Sequence, residues 1–199
     1  FALIYSVFIF AGLSATAQIR VAPSPTWLLP IEQKYPIPNS KTIKDGFYEI
    51  LFENQEQIEF QEDYMHIIRK IVSNEGVQYG SQVSVAFDPS YQQLIFHKIV
   101  VRRRGEEMNK LSVPKFKVEA IEQDLSKFIY NGIKNAFIIL DDVRKGDEIE
   151  YAYTLKGRNP IMNGKYFGTI YTISGSPIGL LFQAIICSQN RKLNFKENN

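Results

Sequence analysis

The sequence predicts an all-β domain: a two-layer antiparallel β-sandwich with a Pro-rich extended lead-in and at most one short helix. Three observations predict it. From residue 47 onwards, apolar and aromatic residues recur at period 2 in about nine or ten short runs, and turn signals separate those runs. The chain shows neither a G-x-G-x-x-G nor a P-loop, nor an alternation of strands with long helices, which argues against a nucleotide-binding α/β fold. Its 199 residues, 45% hydrophobic and 22% charged, suit one soluble globular domain with an appended segment.

Residues 1–13 carry no charge and are followed by Ser14, Ala15, Thr16 and Ala17. An apolar run ending in Ala-x-Ala has the form of a secretory signal peptide, with Ala15 and Ala17 at the cleavage site. The run is too short to span a bilayer comfortably, which takes roughly 20 apolar residues. No stable membrane span is expected, and no lipid-anchored Cys follows the cut. The basic start is missing, so residues 1–17 are read as a signal peptide clipped at its start.

Residues 18–46 contain Pro23, Pro25, Pro30, Pro36 and Pro38 and no sustained period. Proline fixes φ and removes a backbone donor, so an extended lead-in on the domain surface is expected. Trp27, Leu28 and Leu29 are its expected anchors in a groove. The sandwich itself is placed at 47–199, cut inside or just after a domain at its polar C-terminus.

Residues 47–52 open the β pattern. In 57–72, Ile58, Phe60, Tyr64, Ile68 and Val72 share one parity, predicting one long strand or two with a bulge. Asn74-Glu75-Gly76 is a turn signal. Val83, Val85 and Phe87 alternate with polar or small residues until Asp88-Pro89-Ser90 breaks the run. Both faces of 94–102 are partly apolar, predicting a central strand that turns at Gly105-Glu106. A short strand is predicted at 113–118. Ala120, Ile121 and Leu125 make 119–126 the best candidate for a helical turn. Further strands are predicted at 128–130, 136–140, 148–155, 166–173 and 180–186, with Gly157-Arg158-Asn159-Pro160 ending the third of these.

The chemistry is thin. Lys plus Arg number 23 and Asp plus Glu 21, for a net charge of +2, which does not predict a nucleic-acid partner. One Cys excludes an intrachain disulfide and any multi-Cys metal site, and no cofactor is expected. Cys187 follows two isoleucines in a predicted strand, where a thiol serves as a small hydrophobe. Both histidines precede it and no His or Asp follows, so the Cys, His, Asp order of a papain-like triad is absent and no enzyme is expected. His66 and His97 are expected on half-buried or solvated strand faces in structural roles. Arg102-Arg103-Arg104 is expected to pair with Glu106 and Glu107 across a hairpin.

The densest polar cluster is Asp141-Asp142-Val143-Arg144-Lys145-Gly146-Asp147-Glu148. It is read as a structural hairpin corner, with Gly146 at positive φ and Asp142 and Asp147 accepting backbone N–H bonds. The competing reading is a Ca²⁺ site using Asp141, Asp142 and Asp147, since Ca²⁺ takes six or more oxygens.

This cluster, extended to Ile149-Glu150-Tyr151 and Tyr153, with Gly157-Arg158-Asn159-Pro160 after it and Phe87-Asp88-Pro89-Ser90-Tyr91-Gln92 and Leu94-Ile95-Phe96-His97 before it, resembles a family of exported bacterial domains of unknown function (DUF3857). The resemblance runs from about Trp27 to the chain's end. It implies a β-sandwich, a periplasmic or otherwise extracytoplasmic site in a Gram-negative bacterium, and a transglutaminase-like, papain-like domain downstream in the same polypeptide. Asp142, Arg144, Gly146, Asp147, Asn159 and Pro160 carry the motif. The expected function is a non-catalytic module that scaffolds or presents substrate to that domain. The alternative is a carbohydrate- or peptide-binding module with a glycan or protein ligand. Least favoured is a glycan-active enzyme using Asp141, Asp142 or Asp147, which would need two carboxyl groups flanking a cleft.

Overall fold

The computed structural model describes residues 19–31, 34–39, 43–121, 132–170 and 176–196. The expected signal peptide, with Ala15 and Ala17, and the strand expected at 128–130 lie outside them.

In chain order the strands are β1 (Ile19–Val21), β2 (Phe47–Gln57), β3 (Glu62–Ile71), β4 (Gln82–Phe87), β5 (Gln93–Arg103), β6 (Glu106–Asn109), β7 (Lys117–Ala120), β8 (Lys134–Ile139), β9 (Glu148–Lys156) and β10 (Ile178–Ile186). A seven-stranded sheet runs β1-β5-β9-β3-β2-β10, with β6 hairpinned onto β5, and a three-stranded sheet runs β4-β8-β7. The all-β sandwich expectation holds. The sheets are not wholly antiparallel: β1 pairs β5 and β10 pairs β2 in parallel. These parallel pairs are the two ends of the large sheet, and neither joins strands consecutive in sequence.

The core lies between the sheets. Ile67, Ile71, Phe96, Ile99, Val101 and Ile149 on the large sheet meet Val83, Val85, Phe87, Ala136 and Ile138 on the small one. Fully burying a side chain of this kind contributes roughly 1.5–3 kcal/mol. Strict alternation in β4, whose valines and Phe87 are buried while Gln82, Ser84 and Ala86 are exposed, fits a sheet with one face on the core.

Five expected elements differ. The long run 57–72 folds back on itself: Gln61, at φ +54°, donates its N–H to Ile58 O at 3.2 Å, so β2 and β3 form a hairpin. The parity then divides, with Tyr64 buried on one face of the sheet and Ile67 and Ile71 on the other. The Asn74-Glu75-Gly76 signal starts the helix α1 (Asn74–Gly80) rather than a simple turn. Ser73 caps it by accepting the Gly76 N–H at 3.2 Å. Gly76 is required by a close approach: a Cβ there would sit 1.8 Å from Gly46 O. The helical turn expected at 119–126 begins as β7, and 122–126 lie outside the described residues. A 3₁₀ turn at Val113–Lys115 replaces the start of the strand expected at 113–118, and 166–170 form no strand.

Candidate functional site

The outer face of the large sheet, away from the core, carries a buried polar cluster. The register of β2, β3 and β9 aligns Glu53 with His66 and His66 with Ala152, placing Glu53, Gln55, Tyr64, His66, Glu150 and Thr154 on this face. At its centre His66 Nδ1 lies 2.8 Å from Glu53 Oε2 and Nε2 lies 2.9 Å from Glu150 Oε1. Glu53 and Glu150 are buried. Burial alone would lower the His66 pKa, but the bonds and charges of the two carboxylates outweigh it and the pKa rises. Set between two carboxylates, the imidazole is held towards its protonated form, in which both nitrogens donate. Burial would push the Glu150 carboxyl up, and His66, Arg102 and Lys98 instead hold it down at about 2. Its Oε2 pairs with Arg102 and, at 3.1 Å, with Lys98.

The lead-in crosses this face. The Gln55 side-chain amide accepts from Leu29 N at 2.8 Å and donates to Leu29 O at 2.9 Å, mimicking a strand pairing. Trp27 Nε1 donates to Glu62 Oε2 at 2.6 Å. Trp27 and Leu28 are half-buried, while Leu29 anchors through its backbone with its side chain exposed. His97 Nδ1 donates to Ala22 O at 2.9 Å, leaving Nε2 to accept from Thr154 Oγ1 at 2.8 Å. Burial pushes the His97 pKa down, so this histidine is neutral. Each histidine thus has both ring nitrogens held inside the fold, and their surroundings push their pKa values in opposite directions.

The acidic cluster forms a corner, though not the hairpin expected. β8 and β9 belong to different sheets, so residues 140–147 carry the chain from one layer to the other. Gly146 has φ +94°, as the corner reading expects, and its N–H donates to Ile71 O at 2.8 Å. Asp147, 1% exposed, accepts from Arg144 N at 2.8 Å and takes Arg103 at both carboxyl oxygens, at 2.9 and 2.8 Å. Burial would raise its pKa, but Arg103 and the Arg144 N–H hold it low. Asp142 accepts from Arg103 at 3.0 Å and from Arg144 Nε at 2.8 Å, and Lys110 holds Asp141 at 2.7 Å. Among the described residues no group of three or more His, Cys, Asp or Glu is placed to hold a metal ion. The expected pairing of Arg102 with Glu107 is present, Nε to Oε2, at 3.1 Å. Arg103 instead serves the corner.

Asn159 caps a 3₁₀ turn at Pro160–Met162 by accepting from Ile161 N at 3.0 Å. Cys187 sits just past β10 and is half-buried, where a buried small hydrophobe within a strand was expected. Sequence reasoning missed the His66 network because its partners lie 13 and 84 residues away. It also missed Asp63, whose carboxyl is raised to about 6, first by burial and then by neighbouring Glu56. No helix among the described residues is long and apolar enough to cross a membrane.

A family profile described as "Domain of Unknown Function with solved-structure structure (DUF3857)" matches residues 61–199, so the match starts later than Trp27. No curated protein is a significant match. Among solved structures, one described as "a putative protease from Parabacteroides distasonis ATCC 8503" superposes with a TM-score of 0.51 at 13% identity. The match covers 57% of this chain and 23% of that one. At this identity the likeness is one of fold.

Proposed function

The chain belongs to the DUF3857 family, and from that premise we propose that it is a non-catalytic, extracytoplasmic β-sandwich module of a larger exported protein. Its role is to scaffold, or to present substrate to, a transglutaminase-like domain in the same polypeptide. The observation that carries this reading is the engagement of both histidines. His66 lies between two carboxylates, and the one hydroxyl that His97 accepts from belongs to Thr154, which is 1% exposed and out of reach of a substrate, so neither ring is placed to activate an accessible nucleophile. The carboxylates of the corner are likewise held by Arg103, Arg144 and Lys110, which disfavours the glycan-active reading. The neighbour described as a protease supports an accessory role, since this fold occupies under a quarter of that longer chain.

The test is turnover by the purified chain of fluorescent casein, of an amine-acceptor peptide pair and of chromogenic glycosides. The expected result is none above buffer. Turnover that co-purifies with the chain and disappears in His66→Gln or Asp142→Asn overturns the proposal. Export is checked separately, by restoring a basic start, expressing in a Gram-negative host and sequencing the product. A mature N-terminus at Gln18 is expected, and uncut cytoplasmic protein counts against export.

A further inference from the structure

At the end of β9 opposite the acidic corner, the β2–β3 turn, the loop after β4 and the loop after β9 border a cleft of about 210 Å³. Its wall combines Asp63, Gln61, Asn159 and Lys165 with the aromatic rings of Tyr91 and Phe167. The cleft is set by the backbone. Gly157, at φ +114°, donates its N–H to Gln61 O at 2.8 Å and lies so close to the Tyr91 carbonyl that a Cβ would be 1.9 Å from it. Tyr91 hydrogen-bonds to the Asn159 side chain. Asn54 Nδ2 donates to Asp63 Oδ1 at 2.6 Å, which orients the carboxylate in the wall of the cleft.

We propose that this cleft is a binding site for one neutral pyranose unit of a glycan. Three features select that class. Its volume of about 210 Å³ lies below the range of drug-sized pockets and so admits one small ring, and it is a half-open cleft bounded by loops, whereas an extended peptide needs a long groove or a strand edge. Its polar groups are of mixed kind: the Asp63 carboxylate acceptor, the Gln61 amide, which can donate and accept, and the Lys165 ammonium donor. A sugar hydroxyl is itself both donor and acceptor and meets all of them. Its charges cancel, with Asp63 set against Lys165, and Glu56 paired to Arg158 at 3.2 Å, so neither an anion nor a cation is favoured. The rings of Tyr91 and Phe167 supply apolar faces for the C–H side of the sugar, and Phe167 is 71% exposed, which leaves its ring free to cover a ligand. The site goes beyond the module reading, and sugar binding there stands or falls independently of any turnover.

The experiment is an NMR titration of the ¹⁵N-labelled chain with glucose, galactose, mannose, N-acetylglucosamine and, as a peptide probe, tri-alanine. At least one pyranose is expected to shift the amides of Gln61, Gln92, Gly157 and Asn159 saturably, with a Kd of about 1–10 mM. Amides of β4 and β8 should stay in place. Asp63→Asn and Phe167→Ala should each weaken that binding at least fivefold, and Phe167→Ala, on an exposed side chain, also guards against a folding artefact in the other. If no sugar moves the cleft amides, if the shifts spread evenly over the surface, or if tri-alanine alone moves them, the proposal is overturned. It is equally overturned if both variants bind as the parent does.

Discussion

His66 shows what a buried ion triad costs and gives. Two carboxylates in a low-dielectric setting are tolerable only with a cation between them, and removing one member of such a set costs about 3–5 kcal/mol. His66→Gln keeps one donor and loses the charge, so it is expected to lower stability by about 2–4 kcal/mol in chemical denaturation at pH 6. A change below 0.5 kcal/mol would show that the triad is neutral to folding. Asp63 is the opposite case. Its folded pKa of about 6 lies above the ordinary 3.8, so the folded state disfavours its ionised form. The contribution reaches roughly 3 kcal/mol at pH 7 if the shift is taken whole. Asp63→Asn keeps an acceptor for Asn54 and cannot ionise. It is expected to stabilise the chain by about 1–3 kcal/mol at pH 7.5 and by almost nothing at pH 4. Equal effects at both pH values would remove ionisation as the cause. Neither residue announces itself in the sequence. His66 is one histidine in a mixed run, and only the β2–β3–β9 register brings Glu53 and Glu150 to it. Asp63 reads as a solvated strand residue until the cleft desolvates it.

Among the elements, the acidic corner was the most legible and α1 the least. Gly146 between two apolar runs signals a tight change of direction, because the chain must reverse in a few residues and only glycine adopts φ +94° without strain. The sequence did not say that the reversal passes between sheets, because both flanking strands carry the same apolar pattern whichever sheet they join. Gly146→Val is expected to cost about 1–3 kcal/mol. A Cβ at this position would have no heavy atom within 4 Å, so that cost is backbone strain and not a clash. A cost near zero would mean that the corner relaxes. Arg103, Arg144 and Lys110 already neutralise the corner acids, so millimolar Ca²⁺ should leave the melting temperature unchanged relative to chelator. A rise of several degrees would restore the metal reading. The helix α1 was hidden by its own glycines. Gly76 and Gly80 weaken helix propensity, yet Gly76 is where the helix must touch the Gly46 carbonyl. Packing overrides propensity there, and a local reading sees only a turn.

Across the whole molecule, strand count and the two-layer form were legible because period 2 reports which residues face a core. The order of strands was not, since β1 and β10 join the sheet ends through partners far away in sequence, Leu94 to Phe96 and Glu49 to Gln57. The prolines disclosed an extended lead-in but not the polar face it covers. That face and the cleft together fix how the whole fold should respond to pH. Glu150, with its folded pKa held at about 2, adds stability that is complete above its unfolded value of 4.5 and is lost as pH falls below it. Asp141, Asp142 and Asp147, all held low, act in the same direction from 3.8 downwards. Asp63 and Glu49, both raised, act in reverse, and their cost grows as pH rises past their unfolded values, complete for Asp63 just above 6. His66 is raised above 6.5, so its contribution is full below that value and fades as pH climbs through its folded pKa. The carboxylate losses begin below about pH 4.5, and His97, held low, adds a loss as pH falls below 6.5. The Asp63 cost grows up to about pH 6 and the His66 contribution fades above 6.5, so stability should peak at mildly acidic pH and decline towards pH 8, first through Asp63 and then through His66. Thermal melts from pH 3 to 9 at fixed ionic strength measure this directly. In Asp63→Asn the decline towards pH 8 should be shallower, and in His66→Gln the peak itself should fall. A melting temperature that is flat or rising between pH 6.5 and 8 would show that His66 does not govern the fold's stability in that range, and one that rises steadily from pH 4.5 to 6 would show the same of Asp63.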